Sequence, residues 1–429
     1  MKKLVLLLSL IFCLVINNQH LIAKNIPLRK TFSNPTNSAQ IQQQTIYVKH
    51  DATGTNDGSS WTNAYTNLQD AIDAAATDDE IWVAAGTYLP TRDISGNTIA
   101  GDRKNAFIIE KDKIKIYGGF LGTEASLSQR DYLNNTTILS GDIGISGDST
   151  DNAYTVVYIK PKLSNSPMSK ETRLDGFTIE EANADIFSGA GMLLKTGSNS
   201  DNETTIANCI IKNNFTAFGG GGANVFRANP TFYNCLFKDN KVVGASGTSF
   251  TKGGGLYLLY TSSDLKITKC TFENNSSNRT GGGLQFETAA ATIDSSIFLN
   301  NTSNYQGGGV YSSSTSNNDT VFIKNSQFIG NKSLSSSGGG IYRYASQNSF
   351  IQVENCTFTE NKGSSGGALY FRNNSGFAIG GQFDNCTFNN NLGNGSAMFF
   401  LCQSNANMQP EFNNCLIYDN RTSFSPLVY

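Results

Sequence analysis

The residues able to do chemistry are few in kind. Histidine occurs twice in 429 residues, at His20 and His50. His20 lies at the edge of an N-terminal apolar segment read below as removable, which leaves His50 between Lys49 and Asp51. Serine-histidine nucleophilic chemistry has almost no material. Of eight cysteines, six (Cys209, Cys235, Cys270, Cys356, Cys386, Cys415) recur at similar spacing, and the absence of a CxxC pair argues against zinc. Carboxylates and cations remain. Paired carboxylates would serve glycosidic hydrolysis, but Asp239, Glu273, Glu287, Arg279, Arg343 and Arg372 are scattered and read first as solvated faces. No catalytic residue is assigned. The stretch GDIGISGDSTDN (141–152) offers Asp142, Asp148 and Asp151 as oxygen ligands for Ca²⁺, without EF-hand spacing; a plain surface loop is the alternative. Ca²⁺ is the one cofactor suggested.

These side chains sit on a repeated frame. The pattern small, x, apolar, x, x, Asn runs from Cys209-Ile211-Asn214 through Asn240, Asn275, Asn301, Asn331, Asn361 and Asn391 to Cys415-Ile417-Asn420. The asparagines step by 26, 35, 26, 30, 30, 30 and 29 residues. Glycine blocks follow most copies: GGGLYL at 253, GGGLQF at 281, GGGVYS at 307, GGGIYR at 338, GGALYF at 366 and a looser GSAMFF at 395. Repeats of this kind decide the fold before any local assignment. Each unit of about 30 residues alternates short β-branched and aromatic runs with Gly, Asn and Ser turns. Such a unit cannot bury its own apolar face, whereas stacked units pair each strand with its counterpart about 4.8 Å away. The expected fold is all-β, a parallel β-solenoid. The recurring Asn is assigned to a turn with positive φ, its amide bonding the next coil. Stacked cysteines point the same way, poor geometry for a disulfide, and Ser296 and Ser326 replace two of them; buried free thiols in a ladder of small residues are expected.

The FxxN motifs (Phe272 to Asn275, Phe298 to Asn301, Phe328 to Asn331, Phe358 to Asn361, Phe388 to Asn391), alternating with GGA or GGG plus Leu, Ile or Val, resemble the repeat of chlamydial polymorphic outer-membrane proteins. More broadly they are similar to right-handed parallel β-helices of the pectin-lyase-like class. Residues 46–91 and 116–143 resemble the opening coils of large secreted β-helix proteins of Bacteroidetes type. The resemblance implies this fold from residue 46 onward; it is poor for function, because adhesins, lyases and hydrolases share the fold.

Residues 1–23, MKK followed by LVLLLSLIFCLVI, read as a signal peptide, and 24–45 as a disordered leader. Residues 46–165 are assigned to an N-terminal cap and first coils, and 166–429 to repeated coils ending inside a coil at SFSPLVY. Thr66 to Gln69 has capping-box spacing ahead of a helix whose Leu68, Ala71, Ile72 and Ala75 share one face; it is expected to cover the first coil. No later run is long and apolar enough for a transmembrane helix.

With a net charge of -2 and 15% charged residues, against about 25% in ordinary chains, a nucleic-acid partner is excluded. In each strand after a glycine block one residue should face outward, giving a row of Tyr257, Tyr311, Tyr342, Tyr370 and Phe399, with Gln285 in the same phase. Such a row can stack sugar rings or hold another protein, or simply stabilise a sheet. Two functions are expected: a secreted or outer-membrane cell-surface scaffold binding a polysaccharide or a host or neighbour-cell surface protein, which is favoured, or a polysaccharide lyase or glycoside hydrolase.

Overall fold

A strand of three to six residues exposes one side to a core and the other to solvent, and one short strand buries little. The chain multiplies it. In the computed structural model one coil runs Ala291–Asp294, Ile297–Leu299, Thr302–Ser303, Val310–Ser314, after which Asp319–Lys324 begins the next rung beside Ala291–Asp294. The structure describes residues 43–422 except 164–165, 186–188, 197–200, 245–250, 263–264, 315–318, 346–348, 374–377 and 403–406. The signal peptide, nearly all of the leader and SFSPLVY therefore lie outside the described residues.

Among the described residues the strands form four parallel sheets. A twelve-stranded sheet starts at Thr45–Val48, and an eleven-stranded one carries the FxxN phenylalanines. An eight-stranded sheet of short strands turns the corner, and a ten-stranded sheet follows the glycine blocks. Register is in phase from coil to coil. Phe237, Phe272, Phe298, Phe328, Phe358 and Phe388 are direct partners. Their rings stack at 4.7–4.8 Å and are fully buried. Burying one such ring contributes roughly 1.5–3 kcal/mol, so the aromatic spine supplies much of the drive to add a coil.

The corner asparagines form a second spine. Each Nδ2 donates to the Oδ1 of the next Asn at 2.9–3.0 Å, from Asn214 through to Asn420. Each also donates to a carbonyl of the preceding coil, as Asn301 does to Phe272 at 2.8 Å. The expected positive φ is corrected: it belongs to the residue before, Asn213, Asp239, Asn274, Asn300, Gly330, Glu360, Asn390 and Asp419. The bend made there leaves the next side chain facing inward, where its amide satisfies buried backbone groups. In the glycine blocks the first residue has positive φ (Gly281, +65°; Gly307, +66°). At Gly282 a Cβ would come within 2.5 Å of the Gly308 and Thr302 carbonyls, so only glycine lets adjacent coils approach there.

The seven cysteines among the described residues are free; Cys209, Cys235, Cys270, Cys356 and Cys386 are buried, Cys415 is half-buried and Cys402 exposed. Helix α1 (Leu68–Ala74) buries Leu68, Ala71 and Ile72, with Ala75 beyond its end, against strands Thr45–Val48, Glu80–Ala84 and Phe107–Ile109. Its N-cap is Asn67, accepting from Gln69 N at 2.8 Å, and not Thr66. The Gln69 side chain instead exchanges hydrogen bonds with the Ile108 backbone, pinning the helix to a strand. No helix among the described residues is long and apolar enough to cross a membrane.

Candidate ligand-binding cleft

The outer face of the ten-stranded sheet carries two parallel rows. Register aligns Tyr158, Leu193, Asn224, Tyr257, Gln285, Tyr311, Tyr342, Tyr370 and Phe399 in the first. Two residues further along each strand lie Lys195, Phe226, Leu259, Glu287 and Ser313. The predicted aromatic row thus exists as a stack from Tyr311 onward, with centroids 5.4, 5.0 and 5.3 Å apart through Tyr342 and Tyr370 to Phe399. Its expected exposure is corrected: Tyr342 is 2% and Tyr257 and Tyr370 are 8% exposed, while Tyr311 and Phe399 are half-buried. Each inner ring is sandwiched by its neighbours, so its faces are not open to a sugar. Burial pushes the Tyr342 phenol up to about 12, and that of Tyr311 higher. Tyr257 is separated from this stack by Gln285.

On the earlier coils the same face opens into a cleft of about 1020 Å³. Its floor is the pair of rows from Tyr158 to Tyr257 and from Lys195 to Glu287. Walls come from the loop carrying Asp93 to Asn97, from Tyr154, and from Phe218, Lys252 and Tyr260. Tyr260 is half-exposed, meets Phe226 edge-on at 6.0 Å, and Arg227 lies over both rings. Tyr260 and Arg227 both adopt positive φ, a conformation that marks the sharp turn leaving the strands there.

The polar groups of the cleft are organised in one place and bare in another. Glu287 Oε2 accepts from Lys252 Nζ at 2.6 Å and from Tyr257 OH at 2.7 Å. Burial, then the Glu287 carboxylate, push the Tyr257 phenol well above its usual range. Asp93 accepts from the Asn97 side chain and from backbone N–H groups of Asn97 and Ser95, which hold its carboxyl low. Lys195 differs: burial pulls its ammonium pKa down, and no carboxylate among the described residues opposes that shift.

Of the charged residues singled out in the sequence, only Glu287 lines this cleft. Asp239 and Glu273 lie on or beside the FxxN strands, where Glu273 pairs with Lys238 at 3.1 Å. Arg343 is no solvated residue: it is fully buried, facing inward opposite Ser312, to whose Oγ it donates. Arg372 borders Tyr342. Asp142, Asp148 and Asp151 do not converge as one three-carboxylate group; Asp148 is engaged by Thr150 through N and Oγ1. Sequence reasoning missed Lys195, Phe226, Tyr154 and Tyr260. The first two were within reach: two earlier, looser glycine stretches, GAGMLL at 189–194 followed by Lys195 and GGGGANVF at 219–226, carry them in the outward phase counted two residues on. The walls come from irregular loops that carry no period.

Residues 168–352 match the family described as "Right handed beta helix region", and residues 355–372 match the "Chlamydia polymorphic membrane protein (Chlamydia_PMP) repeat". The chain is similar to the crystal structure of pectate lyase Pel9A, with 14% identity, a TM-score of 0.45, and 86% of this chain and 79% of that one covered. It is also similar to a rhamnogalacturonan lyase, with 12% identity, a TM-score of 0.33, and 87% of each chain covered. No curated protein sequence matches it.

Proposed function

Starting from a right-handed parallel β-helix of pectin-lyase-like fold whose coils include a chlamydial polymorphic membrane protein repeat, we propose a cell-surface scaffold that binds glycan in the cleft between Tyr158 and Glu287. The surface location rests on the repeat, which is named for a membrane protein family. The observation that carries the binding reading is the cleft itself: a site of about 1020 Å³ with Tyr154, Tyr158, Phe218, Phe226, Tyr257 and Tyr260 around it. Aromatic faces and edges pack against the apolar faces of sugar rings, while the paired Lys252 and Glu287 offer hydrogen bonds to hydroxyls. In this reading Tyr311, Tyr342, Tyr370 and Phe399 brace the sheet, and Tyr257 belongs to the cleft floor, its hydroxyl held by Glu287. The test is calorimetric titration of a polysaccharide panel against the protein and Tyr260→Ala. Tyr260 is half-exposed, so its loss spares the fold; binding should weaken at least about tenfold, equivalent to roughly 1.4 kcal/mol. Unchanged affinity would remove the cleft from the account.

Lys195 favours a second reading. A lysine whose proton is easier to lose, facing a cleft beside Phe226, is suited to act as a general base toward an acidic sugar. Release of unsaturated ends from a uronic-acid polymer, abolished in Lys195→Ala with binding retained, would establish a lyase; binding without product supports the scaffold.

A further inference from the structure

Between strands Thr137–Ser140 and Val157–Ile159 lies the loop GDIGISGDSTDNA. Its carboxylates are half committed to the loop's own backbone. Asp142 Oδ2 accepts from Gly147 N at 3.0 Å, and Asp151 Oδ2 from Ile145 N at 2.7 Å. In each case the second oxygen, Oδ1, is buried and lacks a donor. Two asparagines add to this. Asn152, 6% exposed, donates Nδ2 to Glu181 O at 2.6 Å, and Asn183 donates Nδ2 to Ser149 O at 2.6 Å. Those donations fix both amides so that Oδ1 is the free end, and both Oδ1 atoms are again buried without a donor.

Asp142, Asn152 and Asn183 line one cavity of about 330 Å³ together with Glu181. Arg103 reaches the same place without serving these oxygens: it donates to the Asn152 and Asn183 backbone carbonyls, both at 2.8 Å, and pairs with Asp185. Glu181 Oε2 accepts from Ser140 Oγ. The region thus gathers acceptors in excess of donors, and carboxylates in excess of cations. The donor set is oxygen only, carboxylates mixed with amides, which suits a hard cation of flexible coordination. Among the described residues no three Asp, Glu, His or Cys side chains converge, so at most two carboxylates meet here and the amide oxygens supply the rest of the donor set.

We propose that Asp142, Asn152, Glu181 and Asn183, which line this one cavity, bind a divalent cation of the Ca²⁺ class, tying the 141–152 loop to the Glu181–Asn183 corner of the next coil. Asp148 and Asp151 stand outside the site, engaged within the loop by Thr150 and by Ile145 N. The experiment uses the full chain, with Ca²⁺ followed by calorimetry and Tb³⁺ by luminescence sensitised through Tyr154, two residues from Asn152. The expected result is one Ca²⁺ bound in the range of about 0.1–1 mM typical of extracellular modules. Asp142→Asn and Glu181→Gln, which keep side-chain shape, should weaken it about tenfold or more, because ligand charge sets affinity in oxygen-only sites; Asp148→Asn should not. A second measurement guards against misfolded variants: hydrogen exchange of 141–152 in the unaltered protein should slow with Ca²⁺ and much less with Mg²⁺. No binding and no protection up to about 10 mM, or full binding in Asp142→Asn and Glu181→Gln, would overturn the proposal in favour of water serving these oxygens or of a site elsewhere.

Discussion

Replacing Asn301 by Ala tests whether the corner asparagines hold the coils together or merely accompany them. Asn301 is 0% exposed and takes part in four side-chain hydrogen bonds. Its Oδ1 accepts from Asn275 N and Asn275 Nδ2, both at 3.0 Å. Its Nδ2 donates to Phe272 O at 2.8 Å and Asn331 Oδ1 at 3.0 Å. Alanine leaves the Asn275 backbone N–H and one Asn275 amide proton buried without acceptors, and the Phe272 carbonyl without this donor. At about 1–3 kcal/mol per buried donor left unmade, relieved in part by a water entering the space, the expected loss is roughly 3–5 kcal/mol. Asn420 is the internal control. It accepts from Asn391 in the same way at 2.9 Å, but is itself half-buried, on the last coil of the described residues, where water can replace it, so Asn420→Ala should lose about 1 kcal/mol or less. Because stacked repeats open locally, the assay is hydrogen exchange read peptide by peptide across 268–335, alongside urea unfolding followed by circular dichroism. Equal and small effects for the two variants would refute the argument that satisfied amides secure the corner.

Three further outcomes are expected. Gly308→Ala should destabilise by about 1–3 kcal/mol in a thermal melt, since its Cβ would sit 2.5 Å from Lys332 backbone atoms. Iodoacetamide at neutral pH should label Cys402 and leave Cys209, whose thiol burial pushes up to about 12, unmodified until urea is added; mass spectrometry of the native protein checks this. The buried tyrosines predict alkaline instability. Tyr342 has a folded pKa of about 12 against about 10 unfolded, so the unfolded chain loses that proton first. Stability is therefore intact below pH about 10 and falls as pH rises toward 12, and the ultraviolet signal of phenolate from this stack should appear together with unfolding and not before it.

The solenoid was legible because its physics is periodic. A strand that must match the one above repeats its Phe, its Asn and its glycines at fixed spacing, and a period of about 30 residues cannot be hidden by local ambiguity. The helix face was legible for the same reason, its cap less so: Thr66 and Asn67 are both good N-caps, and the choice turned on Gln69 engaging Ile108, a contact 39 residues away. The site was harder. Outward phase predicted where Tyr342 points but not that stacked neighbours would bury it, since burial of an outer-face ring depends on what lies above and below. The cleft's walls, Asp93 to Asn97, Tyr154 and Tyr260, come from connections of unequal length, where sequence spacing no longer tracks distance.

The in-phase stacking of Phe272 on Phe298 at 4.8 Å gives the protein a graduated length. From Asn301 to Asn391 the coils are interchangeable steps of 30 residues, each offering its successor the surface it received. A duplication or deletion of one such step in phase would move the far end outward or inward by one increment while leaving the cleft on the earlier coils untouched. Those later coils can thus serve as a spacer whose reach evolves by whole numbers, independently of whatever the cleft recognises.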